Sequence, residues 1–272
     1  MFPRNFLPVP VQLRHQKADF LERLAGLGSV CVRAKNLAAE VASIIDPDET
    51  LMQSNRQAWF PTLGLSLSTD QIAGAHAMRM DALTGHPGTL EIDLFGARSP
   101  LIFAVPSEGE PAFRALVADY CMREREYDDI HEWRSAFAPP FEPCDCCKSA
   151  IESRRARAHT HPLAPILADA IHSSLDLHCR LLDKSFTLER FIRPVKIELQ
   201  GAITVTDTET MTILRIDPAL THSVHVGTTV SEGETRTVLR AFDLLGTEML
   251  TLSTDGDHRL TPWRNHCTAA RM

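Results

Sequence analysis

The chain has 272 residues, of which 44% are hydrophobic and 23% are charged, and its formal net charge is −7. This size suits two globular domains, each large enough to bury its own core. The acidic balance and the lack of a basic tail argue against a nucleic-acid partner. An apolar run of roughly 18 residues, which a membrane span would need, does not occur.

The N-terminal ten residues contain three prolines and no apolar stretch of the kind that a signal peptide has. The chain has seven cysteines, and an odd number favours free thiols in a reducing compartment over a framework of disulfides. We therefore expect a soluble cytoplasmic protein.

The first half is predicted to open with a helix and to continue as strands. Apolar residues recur at helical spacing from Phe20 to Leu27, and Gly28 follows as a stop. Alternation of apolar and polar residues then predicts several strands, with Gly96–Pro100 as a hairpin connection. A helix from Glu110 to Arg125 closes this half. The predicted strands lie at 30–32, 63–67, 72–80, 89–95 and 101–105.

The second half repeats this order of helix and strands after a segment of different composition. Residues 128–160 include the proline-rich stretch 138–143, which cannot continue a helix or a central strand and is predicted to connect two domains. A helix near 163–175 and several strands follow, at 203–205, 211–216, 224–226, 238–245 and 249–252. The predicted domains are an N-terminal repeat at 1–127, the connector at 128–160 and a C-terminal repeat at 161–272.

Local sequence matches indicate that the two halves arose by duplication. Residues 92–96 (IDLFG) return as residues 242–246 (FDLLG), 150 positions later, and Phe113 meets Trp263 at the same offset. Further upstream the offset is about 148, which aligns Cys31 with Cys179. Because the connections are too short for parallel crossovers, we predict an α+β fold of two homologous halves, each a meandering antiparallel sheet with flanking helices.

The repeated hairpin resembles the L-x-F-F-D-x-x-G hairpin of bacterial heme-utilisation proteins of the HemS/ChuS and ChuX/HutX type. The stretch from Leu27 to Asn36 is similar to a conserved-looking strand of that family, and Arg193-Pro194-Val195 is similar to its G-P-V segment. The resemblance implies a duplicated antiparallel fold that binds heme for storage, delivery or degradation. It also aligns the family's axial histidine with Phe191, which has no lone pair for iron.

Other residues of the second half are candidates for holding a heme. His222 and His225, three apart on a predicted strand, are expected on opposite faces, so that one of them would face a planar ligand. Arg215, Arg236 and Arg240 are candidates for pairing with propionate carboxylates. The alternative is that all five lie on the solvent-facing side of a sheet.

A cysteine-rich cluster in the connector is a second candidate site. Cys144, Cys146 and Cys147, with His159 and His161 shortly after, supply the donor types that zinc prefers. The cysteines are more crowded than in a usual zinc knuckle, so a thiol–disulfide couple is an alternative. Incidental thiols in a linker are another.

The leading hypothesis is a cytoplasmic protein that binds heme or a related tetrapyrrole, as a carrier or store rather than an efficient enzyme. Nucleotide-binding loops and hydrolase motifs do not occur in the sequence. The alternatives are a relative that has lost heme and has a structural or regulatory role, and a metal- or redox-active protein that uses the cysteine cluster. The expected partner is a small planar ligand, with no nucleic acid and no membrane.

Overall fold

The computed structural model describes residues 9–16, 19–45, 51–54, 56–79, 88–125, 127–137, 141–231 and 233–269. The α-helices are α1 (Glu22–Ala25), α2 (Glu110–Tyr120), α3 (Tyr127–Phe137), α4 (Asp145–Ala156), α5 (Leu163–His172) and α6 (Leu260–Ala269). None of these described helices has the length and the apolar character needed to cross a bilayer.

The strands make up most of the fold. Those before α3 are β1 (Val9–Leu13), β2 (Val30–Lys35), β3 (Ala39–Ile45), β4 (Met52–Ser54), β5 (Gln57–Phe60), β6 (Leu65–Ser68), β7 (Ile72–Arg79), β8 (Gly88–Leu94), β9 (Leu101–Val105) and β10 (Cys121–Glu124). Those after α5 are β11 (Leu177–Leu182), β12 (Phe186–Ile192), β13 (Lys196–Leu199), β14 (Ile203–Asp207), β15 (Thr212–Ile216), β16 (Thr221–Ser231), β17 (Glu234–Asp243) and β18 (Glu248–Asp255).

The chain forms two compact units. Unit 1 comprises residues 1–34, 42–140 and 184–188, and unit 2 comprises residues 35–41, 141–183 and 189–272. Each unit therefore takes in a short segment from the other half of the sequence. The predicted domain bounds follow the sequence repeats, whereas these units follow the contacts between residues.

Unit 1 contains strands in the order β10-β1-β7-β8-β9-β2-β3, together with the order β6-β5-β4. Unit 2 contains the orders β16-β17-β18-β11-β12 and β15-β14-β13. The two units share one plan, because β7-β8-β9-β2-β3 corresponds to β16-β17-β18-β11-β12. Within the described residues the strands pair antiparallel, and one isolated bridge, between Arg236 and Gly256, is parallel. This confirms the α+β prediction with its meandering antiparallel sheets.

Strand register confirms the duplication and corrects its offset. In unit 1, His76 pairs with Glu91, and β7 is irregular between Ile72 and Gly74. In unit 2, His225 pairs with Arg240, and β16 has the same irregularity between Thr221 and Ser223. His76 therefore corresponds to His225 and Glu91 to Arg240, both 149 positions later. The two offsets taken from the sequence, about 148 and 150, each differ from this value by one residue. A β-bulge kept at the same place in both copies is typical of a shared origin.

The proposed match of Cys31 with Cys179 was also wrong by one residue. Cys31 pairs with Ala104, and the corresponding pair in unit 2 is His178 with Ser253. Cys31 thus corresponds to His178, and Cys179 lies on the opposite, buried side of its strand. A shift of one residue moves a side chain to the other face of a sheet.

Several elements differ from the sequence-based prediction. Strand β1 was not predicted. The helix predicted from Glu110 to Arg125 ends at Tyr120, and β10 begins at the next residue, Cys121. Residues 128–160, predicted as a connector, contain most of α3 and all of α4. Within the proline-rich stretch, 138–140 lie outside the described residues.

A buried aromatic residue anchors the closing helix of each unit to its core. Phe113 of α2 and Trp263 of α6, which matched in the sequence repeat, are both almost completely buried. The Trp263 indole Nε1 donates to Asp169 Oδ2 of α5 at 2.9 Å, so the ring's only polar atom is satisfied. Arg259 reaches the same carboxylate with Nη1 at 3.1 Å.

Asn36 holds together the loop segment that unit 2 takes from the first half of the chain. Its Nδ2 donates to the carbonyls of Leu182 at 2.9 Å and Met249 at 2.7 Å, and its Oδ1 accepts from the amides of Ala38 and Ala39. The residue is 5% exposed. Three of these bonds are buried, and the bond to Leu182 is partly buried, so water competes little for them.

We expect Asn36→Ala to lower the free energy of unfolding by about 3 kcal/mol, because buried backbone groups lose their partners. Urea unfolding followed by circular dichroism measures this. As a control, Gln57→Ala removes an exposed amide that bonds Ser68 at 2.8 Å and should cost less than about 0.5 kcal/mol. Equal effects of the two variants would contradict the role given to Asn36.

Candidate functional site

The clearest candidate site lies on one face of the unit 2 sheet. On β11, Leu177, Cys179 and Leu181 are buried, so that His178 and Arg180 point to the other face. This alternation follows directly from the sequence of the strand, in which every second residue is polar.

Strand register brings two predicted arginines to the same face. Arg240 of β17 is opposite Thr251 of β18, which in turn is opposite Arg180. Four residues before Arg240 on the same strand, Arg236 borders the same surface. Together these strands form a cavity of about 460 Å³, a volume within the usual range for small-molecule sites. We call this surface the polar face; its lining residues are His178, Arg180, Leu182, Glu189, Thr229, Arg236, Val238, Arg240, Glu248, Thr251 and Ser253.

Carboxylates lie close to the arginines of the polar face. Arg180 Nε is 2.7 Å from Glu189 Oε1, and Arg236 Nε is 3.2 Å from Asp255 Oδ1. Both Nε atoms are buried against these carboxylates. The side chains as a whole remain accessible, with Arg180 43% exposed and Arg236 33% exposed. The polar face therefore presents partly exposed guanidinium groups, each beside a carboxylate.

The imidazole of His178 lines the same cavity. Its ring stacks on Phe191 of β12, with centroids 4.7 Å apart and an interplanar angle of 25°. Burial lowers the pKa of His178, and the charges of Arg180 and Arg236 act in the same direction, whereas Glu189 opposes them. The ring is thus neutral at pH 7, which is the form that binds a metal.

Phe191, which the resemblance aligns with the family's iron ligand, is 68% exposed. It offers this surface an aromatic ring, while the imidazole next to it belongs to the neighbouring strand.

Of the two histidines predicted as ligands, His225 lies beside the polar face. It pairs across the ladder with Arg240, its ring meets Phe242 edge-on with centroids 5.5 Å apart, and its Nε2 is 3.2 Å from Ser223 Oγ. It is exposed and does not line the cavity.

The corresponding face of unit 1 is covered by the chain's own helix α3. His76, the counterpart of His225, is 2% exposed, and Trp133 packs against it with ring centroids 5.3 Å apart. Its Nδ1 is 2.9 Å from Asp93 Oδ2, and Arg134 bonds both Asp93 and Glu91. In unit 1 this surface is therefore a packed, ion-paired core.

Two of the five residues predicted to hold heme lie elsewhere in unit 2. His222 occupies the irregular position of β16 and lines a separate cavity of about 400 Å³. Arg215 lines a third cavity of about 440 Å³, near the bidentate ion pair between Arg155 and Asp217. The structure thus brings together Arg236, Arg240 and, at the edge, His225, but not all five.

The cysteine cluster lies at the start of α4. Cys144 is disulfide-bonded, so it is not a free thiolate ligand, and the side chains of Cys146 and Cys147 lie outside the described residues. His159 is exposed, and His161 lines the same cavity as His222. Among the described residues no group of three or more histidines, cysteines or carboxylates could hold a metal ion. The expectation that all the cysteines are free thiols was wrong at Cys144.

Three residues of the polar face were not predicted as functional from the sequence: His178, Arg180 and Glu189. Polar His178 and Arg180 alternate with buried residues along β11. This alternation could have placed both on the solvent-facing side of a sheet. Nothing in the local sequence indicates that β11 lies next to β18 and two strands from β17. That neighbourhood is what makes the three residues part of one cavity.

Comparison with known proteins identifies relatives by structure alone. No family model and no curated protein matches the sequence. The heme-degrading enzyme ChuS of Escherichia coli O157:H7 superposes with a TM-score of 0.71 at 12% identity, covering 96% of this chain and 86% of ChuS. The heme-bound form of PhuS, a heme-binding protein from Pseudomonas aeruginosa, superposes with a TM-score of 0.67 at 15% identity, covering 95% of this chain and 86% of PhuS. The protein therefore has the fold of the HemS/ChuS type, as its repeated hairpin predicted.

Proposed function

We propose that the protein binds heme, or a related tetrapyrrole, on the polar face of unit 2 and acts in the cytoplasm as a carrier or store. The observation that carries the proposal is the grouping of three partly exposed arginines and a neutral imidazole around one cavity. The fold supports it further, since ChuS is a heme-degrading enzyme and PhuS a heme-binding protein.

The residues of the polar face fit the chemistry of heme. Propionates are carboxylates, and a guanidinium binds a carboxylate through two parallel hydrogen bonds. Arg180, Arg236 and Arg240 are all within this surface, and Phe191 adds an apolar ring. Glu189 and Glu248 compete for the same arginines, so we expect a bound propionate to displace the contact of Glu189.

An imidazole of the polar face would hold the iron. His178 is our first choice, because it lines the cavity and burial keeps it neutral. His225 is the second choice, since it lies at the edge of the same face. His222 lines a different cavity, and we assign it no contact with heme.

Binding to hemin tests the proposal. We expect purified protein to give a saturable, sharpened Soret band near one equivalent of hemin. The double variant Arg236→Ala, Arg240→Ala should weaken the affinity about tenfold or more, because two charge-assisted contacts are lost. Its matched control is Arg114→Ala, Arg123→Ala, which removes two exposed arginines of unit 1 and should leave the affinity unchanged.

A broad, non-saturating response would contradict heme binding and would favour the two alternatives. These are a relative of heme proteins with a structural or regulatory role, and a protein that uses the cysteine cluster around Cys144. Carrier and enzyme are separated by adding ascorbate in air to the hemin complex. A carrier keeps its Soret band, whereas an enzyme that opens the ring loses it.

A further inference from the structure

A second cavity in unit 2, of about 400 Å³, has a lining of one charge sign. It lies where the end of α4, the start of α5 and the start of β16 meet, with Cys267 of α6 at its border. Its ionisable side chains are Arg154, Arg157, His161 and His222, apart from the cysteine. We call it the Arg154 cavity.

The lack of carboxylates separates the Arg154 cavity from its two neighbours. The polar face sets Glu189 and Glu248 among its three arginines. The cavity that contains Arg215 sets Glu40 and Asp217 beside its basic residues. The lining of the Arg154 cavity has no acidic residue, although the protein as a whole has a net charge of −7. Positive charge is therefore concentrated at this cavity.

The two arginines of the cavity have no carboxylate partner among the described residues. Arg157 is oriented by Ser153, since its Nε donates to the Ser153 carbonyl at 3.3 Å and its Nη2 to Ser153 Oγ at 3.0 Å. The neighbouring Arg155, by contrast, is fully engaged by Asp217 with two hydrogen bonds. Arg154 and Arg157 thus offer guanidinium donors that no acidic side chain of the described chain takes up.

His161 adds a neutral donor. Its Nδ1 accepts from the Leu163 amide at 3.3 Å, so the ring proton is on Nε2. Burial, with the charge of Arg154, lowers the pKa of His161 to about 4. The lining also has hydroxyls, but Thr160 and Thr221 donate theirs to the carbonyls of Arg157 and Asp217. The guanidinium groups and the imidazole N–H are therefore the main donors of this cavity.

We infer that the Arg154 cavity binds a phosphate group, either free phosphate or the phosphate of a small monoester. Two guanidinium groups neutralise a dianion, and an N–H imidazole can donate a further hydrogen bond to a tetrahedral oxyanion. This site is separate from the polar face and its occupation does not depend on heme. His222 belongs to this anion site.

Isothermal titration with inorganic phosphate at constant ionic strength tests the inference. We expect one saturable site, with the affinity lowered about tenfold in Arg154→Ala and in Arg157→Ala, because each loses a charge-assisted contact. Arg193→Ala is the control. It removes the same charge from unit 2, but that arginine is paired with Asp176 at 2.8 Å and lies outside the cavity.

Three outcomes would overturn the inference: no saturable heat, an affinity unchanged in both cavity variants, or an equal loss in Arg193→Ala. Titration with glycerol 3-phosphate identifies the source of the phosphate, since tighter binding than inorganic phosphate indicates a monoester. Thermal melting shows whether each variant is folded. If Arg154→Ala is not folded, Arg154→Lys replaces it in the phosphate titration. Hemin titration of Arg154→Ala should match that of the unmodified protein, which keeps this test independent of the heme proposal.

Discussion

Replacing His178 by alanine should change the visible spectrum of the hemin complex and weaken hemin binding by about tenfold, the lower end of what losing a metal-site group costs. The imidazole lines the cavity of the polar face, and burial lowers its pKa, so its nitrogen is available to iron at pH 7. Loss of an axial nitrogen alters the ligand field of the iron and therefore the Soret and visible bands. This expectation rests on the proposed function.

The control for this experiment is His225→Ala, at the edge of the same face. We expect it to keep the spectrum of the unmodified complex, because His225 does not line the cavity. Free imidazole added to the His178→Ala complex should restore the original bands. A spectral change in His225→Ala with none in His178→Ala would reverse our choice of ligand while leaving heme binding intact.

Replacing Asp93 by alanine should lower the free energy of unfolding of unit 1 by about 3–5 kcal/mol, the usual effect of removing one partner of a buried ion pair. Asp93 Oδ1 accepts from Arg134 Nε at 2.6 Å, and its Oδ2 lies 2.9 Å from His76 Nδ1. Its side chain is 3% exposed and that of Arg134 is 18% exposed. Burial opposes the charge of Arg134, but contacts with Asp93 and Glu91 outweigh it and raise its pKa. The variant would leave this cation near the core with only Glu91.

Urea unfolding followed by the fluorescence of Trp133, with Trp59 and Trp263 replaced by phenylalanine, reports on unit 1. Trp133 packs on His76, within the same network. Glu110→Ala is the control, since it breaks an exposed i,i+4 pair with Arg114, which should cost less than about 0.5 kcal/mol. If Asp93→Ala and Glu110→Ala were equally stable, the contacts of Asp93 with His76 and Arg134 would not be what holds α3 on the sheet.

Much of the strand pattern could be predicted because side-chain alternation is a local property. The hairpin of β8 and β9 follows from alternating residues around a glycine turn, and so does its copy in β17 and β18. Strand β1 was missed because it is short and begins next to prolines. Helix α3 was not predicted because it lies in the segment assigned to a connector and has few apolar residues at helical spacing. Its packing on His76 and Asp93 accounts for its position.

The candidate site was predicted only in part. Arg236 and Arg240 were predicted as partners of propionates, and the structure puts both on the polar face. His178 was missed. His222 and His225 were expected on opposite faces of a strand, and in the structure His222 lines a different cavity from the polar face that His225 borders. His222 lies at the irregularity between Thr221 and Ser223, and a β-bulge of this kind leaves no signal in the alternation of residues.

The fold class, the duplication and the resemblance to heme-utilisation proteins could be predicted from the chain alone, because hairpins and their repeats are encoded in neighbouring residues. Which polar residues share a cavity depends on the three-dimensional arrangement of the strands. Strand order and register join residues far apart in the chain, such as His178 and Arg240, and a register shift of one residue reverses the face on which a side chain lies. The same dependence explains why one copy of the sheet face is covered by α3 while the other presents three arginines and a neutral imidazole.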